Sequence, residues 1–231
     1  TVCLMNKADS VISLNPGMAK NLPCRNIMIP HGVDTELFSP GENTGIQGIE
    51  QKHLVSVVGR IRPSKGQLVA MKAIARLLAN NREWGLMLVG RVDNTAYANE
   101  IRELAIKNNV ESQVYFLPET DEIIKYYRAS SVVIIPSVSE GFSLVCLEAM
   151  ACGVLTIATA TAGIHSSVIQ HGINGFLFPV NDDAALSRIL SEVIPGGAKP
   201  DPEIIRGTIV EKWSVDNNVR ELLKVYSNKK E

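Results

Sequence analysis

None of the four cysteines in this 231-residue sequence sits at a metal-ligand spacing. Cys3, Cys24, Cys146 and Cys152 make no CxxC pair, and no His/Asp/Glu/Cys cluster has metal spacing, so a zinc site is not expected. Cys146 and Cys152 fall in an apolar helical stretch and read as buried thiols, which suits a reducing, cytoplasmic compartment. No apolar run approaches the roughly 20 residues of a membrane-spanning helix, and no signal-peptide pattern is found. Neither sign of charge is in excess: the formal net charge is -1 and the pI near 6.4, which argues against general nucleic-acid binding. Internal repeats and low-complexity tracts are also missing.

Against these absences, hydrophobic residues make up 45% and charged residues 20%, enough to bury a sizeable core. From His53 onward, strand and helix patterns alternate. Leu54 to Val58, Leu86 to Val89, Val114 to Leu117, Val132 to Ile135, Leu155 to Ala158 and Gly175 to Phe178 read as strands. Between them, Gln67 to Asn80, Ala96 to Lys107, Ile123 to Arg128, Phe142 to Cys152 and Gly163 to His171 read as helices, followed by Asp182 to Val193. Near-continuous apolar strands between helices predict an α/β fold: a doubly wound, Rossmann-like parallel sheet with helices on both faces. Ahead of it lie one weak strand, Ser10 to Leu14, and a turn at Asn15-Pro16-Gly17; residues 41 to 52 read as an exposed loop. Two extra C-terminal helices follow Pro202, the last with Ser214 as its N-cap. Thr1 to Met5 enters mid-pattern, so the expectation is a piece of something longer.

Ligands of such sheets bind beyond the strand C-termini, where Gly59-Arg60, Gly90-Arg91 and Ser139-Glu140 are expected. Ser139 to Gly153 is the most informative stretch. It presents Glu140 at a strand-to-helix turn and Glu148 about two helical turns further in, with free helix N-terminal amides between them. Carboxylates that take sugar hydroxyls, beside amides that take phosphate, suggest a pocket for a nucleotide-activated sugar. Across from it, Gly59 permits an unusual turn, and Arg60 and Lys65 can offset charge on a departing diphosphate. An acid/base pair of the glycoside-hydrolase kind needs both carboxyls about one bond at roughly 5 to 9.5 Å, which the depth of Glu148 disfavours. His31, within Ile29 to Asp34, is a candidate acid or base or a plain linker residue; His53, His165 and His171 show no partner pattern.

Four segments together resemble the C-terminal, donor-binding half of a retaining GT-B glycosyltransferase of the glycogen-synthase-like, E-x7-E family. They are Ile29 to Pro40, Val57 to Gly66, Ser139 to Gly153 and His171 to Leu177; Trp213-Ser214 also fits. The resemblance implies that Gly59, Arg60 and Lys65 bind the donor diphosphate and Glu140 the donor sugar. It gives Gly141, Phe142, Ser143 and Leu144 a backbone role toward sugar and phosphate, and Glu148 the ribose. No catalytic group is certain within this half, and no cofactor or divalent metal is implied. The substrate is a UDP- or GDP-linked sugar, and the acceptor a saccharide or glycolipid in polysaccharide, lipopolysaccharide or glycolipid assembly. The site would be cytoplasmic, at the inner face of a membrane for the full-length protein. The implied division is a remnant of the acceptor domain and linker over 1 to 30, the nucleotide-sugar domain over 31 to 200, and C-terminal helices over 201 to 231. A non-catalytic sugar-nucleotide module and a sugar-nucleotide epimerase of the same fold remain as alternatives. Two departures from the family pattern stand out: Ser143 where Gly is common, and Ile164-His165-Ser166-Ser167 where G-x-x-E is common.

Overall fold

A computed structural model describes residue 8 and residues 10–20, 26–194 and 199–227. Cys3 and Cys24 lie outside these residues. Two short strands, β1 (Val11–Ser13) and β2 (Asn26–Met28), pair in parallel, with helix α1 (Pro16–Ala19) between them. Asn15-Pro16-Gly17 thus opens a helix rather than a plain turn. Proline suits that place because its fixed φ is helical and its missing N–H would have no partner in a first turn.

The main sheet has six strands in the order β5-β4-β3-β6-β7-β8, and all its pairings are parallel. These are β3 (His53–Val58), β4 (Trp84–Val89), β5 (Val114–Leu117), β6 (Val132–Ile135), β7 (Leu155–Thr159) and β8 (Phe176–Phe178). The chain runs outward from β3 to β5, returns to place β6 beside β3, then runs outward the other way. The switch of direction therefore falls between β3 and β6, where a doubly wound sheet opens its crevice. Pairing across this seam is confined to Val55 with Val132 and Ser56 with Val133. By contrast, β3 and β4 pair along all six residues of each strand.

The apolar runs are explained by burial on both faces. Val55, Val57, Leu86 and Leu88 pack with residues of α2 (Gln67–Asn80) and α3 (Thr95–Lys107). Leu54, Met87 and Val89 point the other way, toward Tyr126 and Ala129 of α4 (Ile123–Ala129), with Ile46 and Ile49 of the preceding loop against them. The remaining helices are α5 (Leu144–Ala151), α6 (His165–Val168), α7 (Asp183–Val193), α8 (Pro202–Lys212) and α9 (Val215–Ser227). Asn94 and Asp182 cap α3 and α7 by accepting from Tyr97 N and Ala185 N. Ser214 Oγ accepts from Asn217 N at 3.4 Å, as its place before α9 predicts. Val33 bonds both Trp213 and Val215 through its backbone, so the segment before β3 is joined to the start of α9. Among the described residues no helix is long and apolar enough to cross a membrane.

Two helices are shorter than their patterns suggest. The one expected from Phe142 begins at Leu144, because Ser143 has φ 109°, outside the helical range. The one expected from Gly163 covers only His165–Val168.

Candidate functional site

The loop after β3 forms one flank of the crevice. Gly59, at φ 137°, turns the chain, and the single 3-10 turn Pro63–Lys65 ends on Lys65. Arg60 is 51% exposed and lies 3.5 Å from Asp93, whose other oxygen takes Arg91 Nε at 3.0 Å. The backbone of Arg60 is held from below: Gln67, fully buried at the start of α2, donates to Arg60 O at 3.0 Å. Arg62 Nε is buried with no hydrogen-bond partner, although its side chain lines the crevice.

The loop after β6 forms the other flank. Glu140 Oε1 accepts from Lys65 Nζ at 2.7 Å and from Ser137 Oγ at 2.7 Å. The Lys65 and Glu140 side chains are 20% and 13% exposed, so this ion pair links the two flanks out of full solvent. Two close backbone approaches lock the flanks in place. A Cβ on Gly66, at φ 70°, would sit 2.0 Å from Pro136 O, and one on Gly163, at φ 57°, 2.1 Å from Phe142 O. Only glycine permits either contact. Asn15 also donates to Gly141 O at 2.5 Å.

Between the flanks lies a cleft of about 490 Å³ lined by Gly59, Arg60, Arg62, Lys65, Gly90, Arg91, Glu119, Thr120, Ile123 and Glu140, among others. Four cations face two carboxylates there, which favours an anionic ligand. Beside Glu140 starts α5. Its first amides have no carbonyl of their own helix to bond, and no side chain caps them. That end of the helix carries partial positive charge and suits a phosphate.

Glu148 is the fifth residue of α5, closer to the helix start than the expected two turns, and half-buried. Its Oε2 accepts from Tyr127 Oη at 2.6 Å. Burial pushes the Glu148 carboxyl above the usual range, and the Tyr127 hydrogen bond pulls it partly back. Burial, with the Glu148 charge beside it, raises the Tyr127 phenol well above its ordinary value, so it stays a donor. Burial likewise pushes the Cys146 thiol up to about 12, which leaves it an inert core group.

Of the residues singled out from sequence, Gly59, Arg60, Lys65 and Glu140 line one cleft. Gly141, Phe142, Ser143 and Leu144 form the turn into α5 beside it, while Glu148 does not line this cleft. His31 is exposed and lies edge-on to Phe142, 5.1 Å between ring centres. The histidines without a partner pattern do have partners: His53 stacks on Trp84, His171 Nδ1 accepts from Leu177 N, and His165 contacts Thr159 and Ser143. Sequence reasoning also missed Arg62, Gln67 and Tyr127. Arg62 carries a local signal, a third cation in the Gly59 to Gly66 loop, whereas Gln67 and Tyr127 carry none.

The sequence pattern of the glycosyl transferases group 1 family matches residues 42–203. The chain belongs to this family. Among its group 1 relatives is a lipopolysaccharide core biosynthesis mannosyltransferase, LpcC, of Rhizobium leguminosarum bv. viciae. It is 32% identical over 200 residues, which are 84% of this chain and 56% of that protein. A D-inositol 3-phosphate glycosyltransferase of Acidothermus cellulolyticus is 30% identical over 88% of this chain and 48% of its own length. The chain thus spans about half the length of the curated relatives it matches. In structure, Anabaena HepE in complex with UDP and glucose superposes with a TM-score of 0.87 at 22% identity, over 98% of this chain and 65% of HepE. The C-terminal domain of a group 1 glycosyl transferase (LpcC) from Francisella tularensis gives 0.72 at 26% identity, over 80% of this chain and 100% of that domain. The doubly wound sheet is therefore the Rossmann-like unit of a GT-B fold.

Proposed function

We propose that the chain is the donor-binding half of a retaining glycosyltransferase that moves a hexose from a UDP- or GDP-linked sugar to a saccharide or glycolipid. The observation that carries this reading is the cleft at the switch point, with the Lys65–Glu140 pair spanning its flanks and the uncapped start of α5 beside it. In this reading Arg60 and Lys65 hold the diphosphate with the first amides of α5. Together they stabilise charge that grows on the leaving phosphate as the glycosidic bond breaks. Glu140 accepts from donor-sugar hydroxyls and Glu148 from the ribose diol. No divalent metal is invoked, because the cations and the helix dipole supply the neutralisation. HepE, crystallised with UDP and glucose, and the mannosyltransferase LpcC support a nucleotide-sugar donor in polysaccharide, lipopolysaccharide or glycolipid assembly. Such work belongs in the cytoplasm at the inner membrane face. The groups that position the acceptor would come from a partner domain outside this chain.

A thermal-shift panel of UDP, GDP and ADP against wild type and Glu148→Ala tests this reading, since a bound ligand raises apparent stability by mass action. A rise with one nucleotide that Glu148→Ala diminishes is expected. No rise with any of the three sinks it.

A further inference from the structure

We propose that His165 is a positioning residue for the donor's phosphate cradle and acts through the hydroxyl of Ser143; this rests on the donor-binding reading above. Serine favours the N-cap of a helix because its side-chain oxygen accepts from an amide of the first turn. Ser143 holds that place before α5 and makes no such bond. Its Oγ lies instead 2.9 Å from His165 Nε2. The other ring nitrogen, Nδ1, lies 2.8 Å from Thr159 O. A carbonyl oxygen only accepts, so Nδ1 carries a proton; in the neutral ring Nε2 is then the acceptor, and the Ser143 hydroxyl donates to it. A hydroxyl turned to the imidazole is turned away from the amides of α5, so no side chain competes with a phosphate there, although Cys146 N does bond Ser143 O at 3.3 Å.

The same bond holds an unfavourable backbone. Ser143 has φ 109° and ψ 73°, where a side chain is penalised, and it is 8% exposed. His165 is 0% exposed and is one link in a buried chain of bonds. Thr159 Oγ1 donates to Ser137 O at 2.7 Å, and Ser137 Oγ donates to Glu140 at 2.7 Å. Ile164 N donates to Phe142 O at 3.1 Å on the same side. The segment from Thr159 to His165 thus braces the whole turn that carries Glu140 and the amides. The two departures noted in the sequence, Ser143 and His165, touch each other. A serine in place of the usual glycine brings a competing cap, and the histidine removes it.

A double-mutant cycle read by nucleotide affinity tests this. The probe is whichever of UDP, GDP or ADP binds the wild-type chain. His165→Ala is expected to weaken it about fivefold to tenfold, the worth of one buried hydrogen bond. In a Ser143→Gly background, where no hydroxyl competes and the backbone is unstrained, the same substitution is expected to cost less than about twofold. His165→Gln, whose amide oxygen can accept from Ser143, is expected to retain most of the affinity. Melting curves verify folding; if His165→Ala does not fold, His165→Asn, which can keep the Thr159 bond and drops the Ser143 one, takes its place in the cycle. Equal losses in both backgrounds, or an unchanged affinity in His165→Ala, overturn the positioning role while leaving donor binding intact. A wild type that binds none of the three nucleotides overturns the donor reading and this inference with it.

Discussion

Arg60 keeps 51% of its side chain in solvent, while Glu140 across the cleft keeps 13%. The loop after β3 carries the exposed Arg60 next to the more buried Lys65, whereas the loop after β6 is tied down by Ser137, Thr159, His165 and Asn15. Attraction of an anion by exposed charge tolerates ångström-scale error and is weakened by salt. Hydrogen bonds to hydroxyls and amides tolerate little misplacement. Exposed charge on one flank suits attraction, and the tied-down turn on the other suits geometry.

Substitutions can break this contrast. The largest effect is expected from Gly66→Ala, on the loop after β3, and Gly163→Ala, which abuts the loop after β6. Each forces a methyl into a carbonyl at a positive φ, and each should cost about 2–4 kcal/mol, seen as a lowered midpoint in thermal melts. A Gly66→Ala protein that melts like wild type would mean the basic flank is soft throughout. Next, Lys65→Ala should weaken nucleotide binding about tenfold or more, and this loss should survive high salt because the pair is partly buried. Arg60→Ala should cost about threefold in calorimetric titration at low salt, fading toward none near 0.5 M, the behaviour of an exposed charge. Equal salt sensitivity of the two losses would show that the exposed and the partly buried cation of this one flank act alike.

Tyr127→Phe sharpens it further. The Tyr127 bond offsets part of the burial that raises the Glu148 carboxyl. Without it that carboxyl rises again, so nucleotide affinity, measured against pH, should begin to fall at a higher pH than in wild type. The smallest expected effect concerns His165, whose basicity burial depresses below the ordinary 6.5. The unfolded chain then binds the extra proton first. Stability is fully present above about pH 6.5 and declines as pH falls from there toward the lowered folded value. His165→Gln should flatten that part of a melting-temperature profile; an unchanged slope would assign it to another group.

Much of this contrast could be read without coordinates. Val132 to Ile135 announces a buried parallel strand because it is apolar on both faces, Leu155 to Ala158 does so with the single polar break of Thr156, and that pattern is local. Arg60, Lys65 and Glu140 were legible from residue type at a strand end. Tyr127 with Glu148, and His165 with Ser143, were not. Each pair is about twenty residues apart and meets only because strands and helices alternate across the sheet. The start of α5 was misplaced for a related reason: nothing in Phe142-Ser143-Leu144 marks a serine held at positive φ by a distant imidazole.

One consequence follows from the seam between β3 and β6. Beyond Ser56 and Val133 each strand keeps a ladder only with its outer neighbour, so the fabric of the sheet parts where the cleft begins. Besides the Lys65–Glu140 pair, what spans the tear is main chain. Val138 N donates to Ser64 O at 3.0 Å, and Gly66 abuts Pro136. The gape of the cleft is therefore gauged by backbone touching backbone with one ion pair laid across it, and the two edges can meet only while position 66 stays bare.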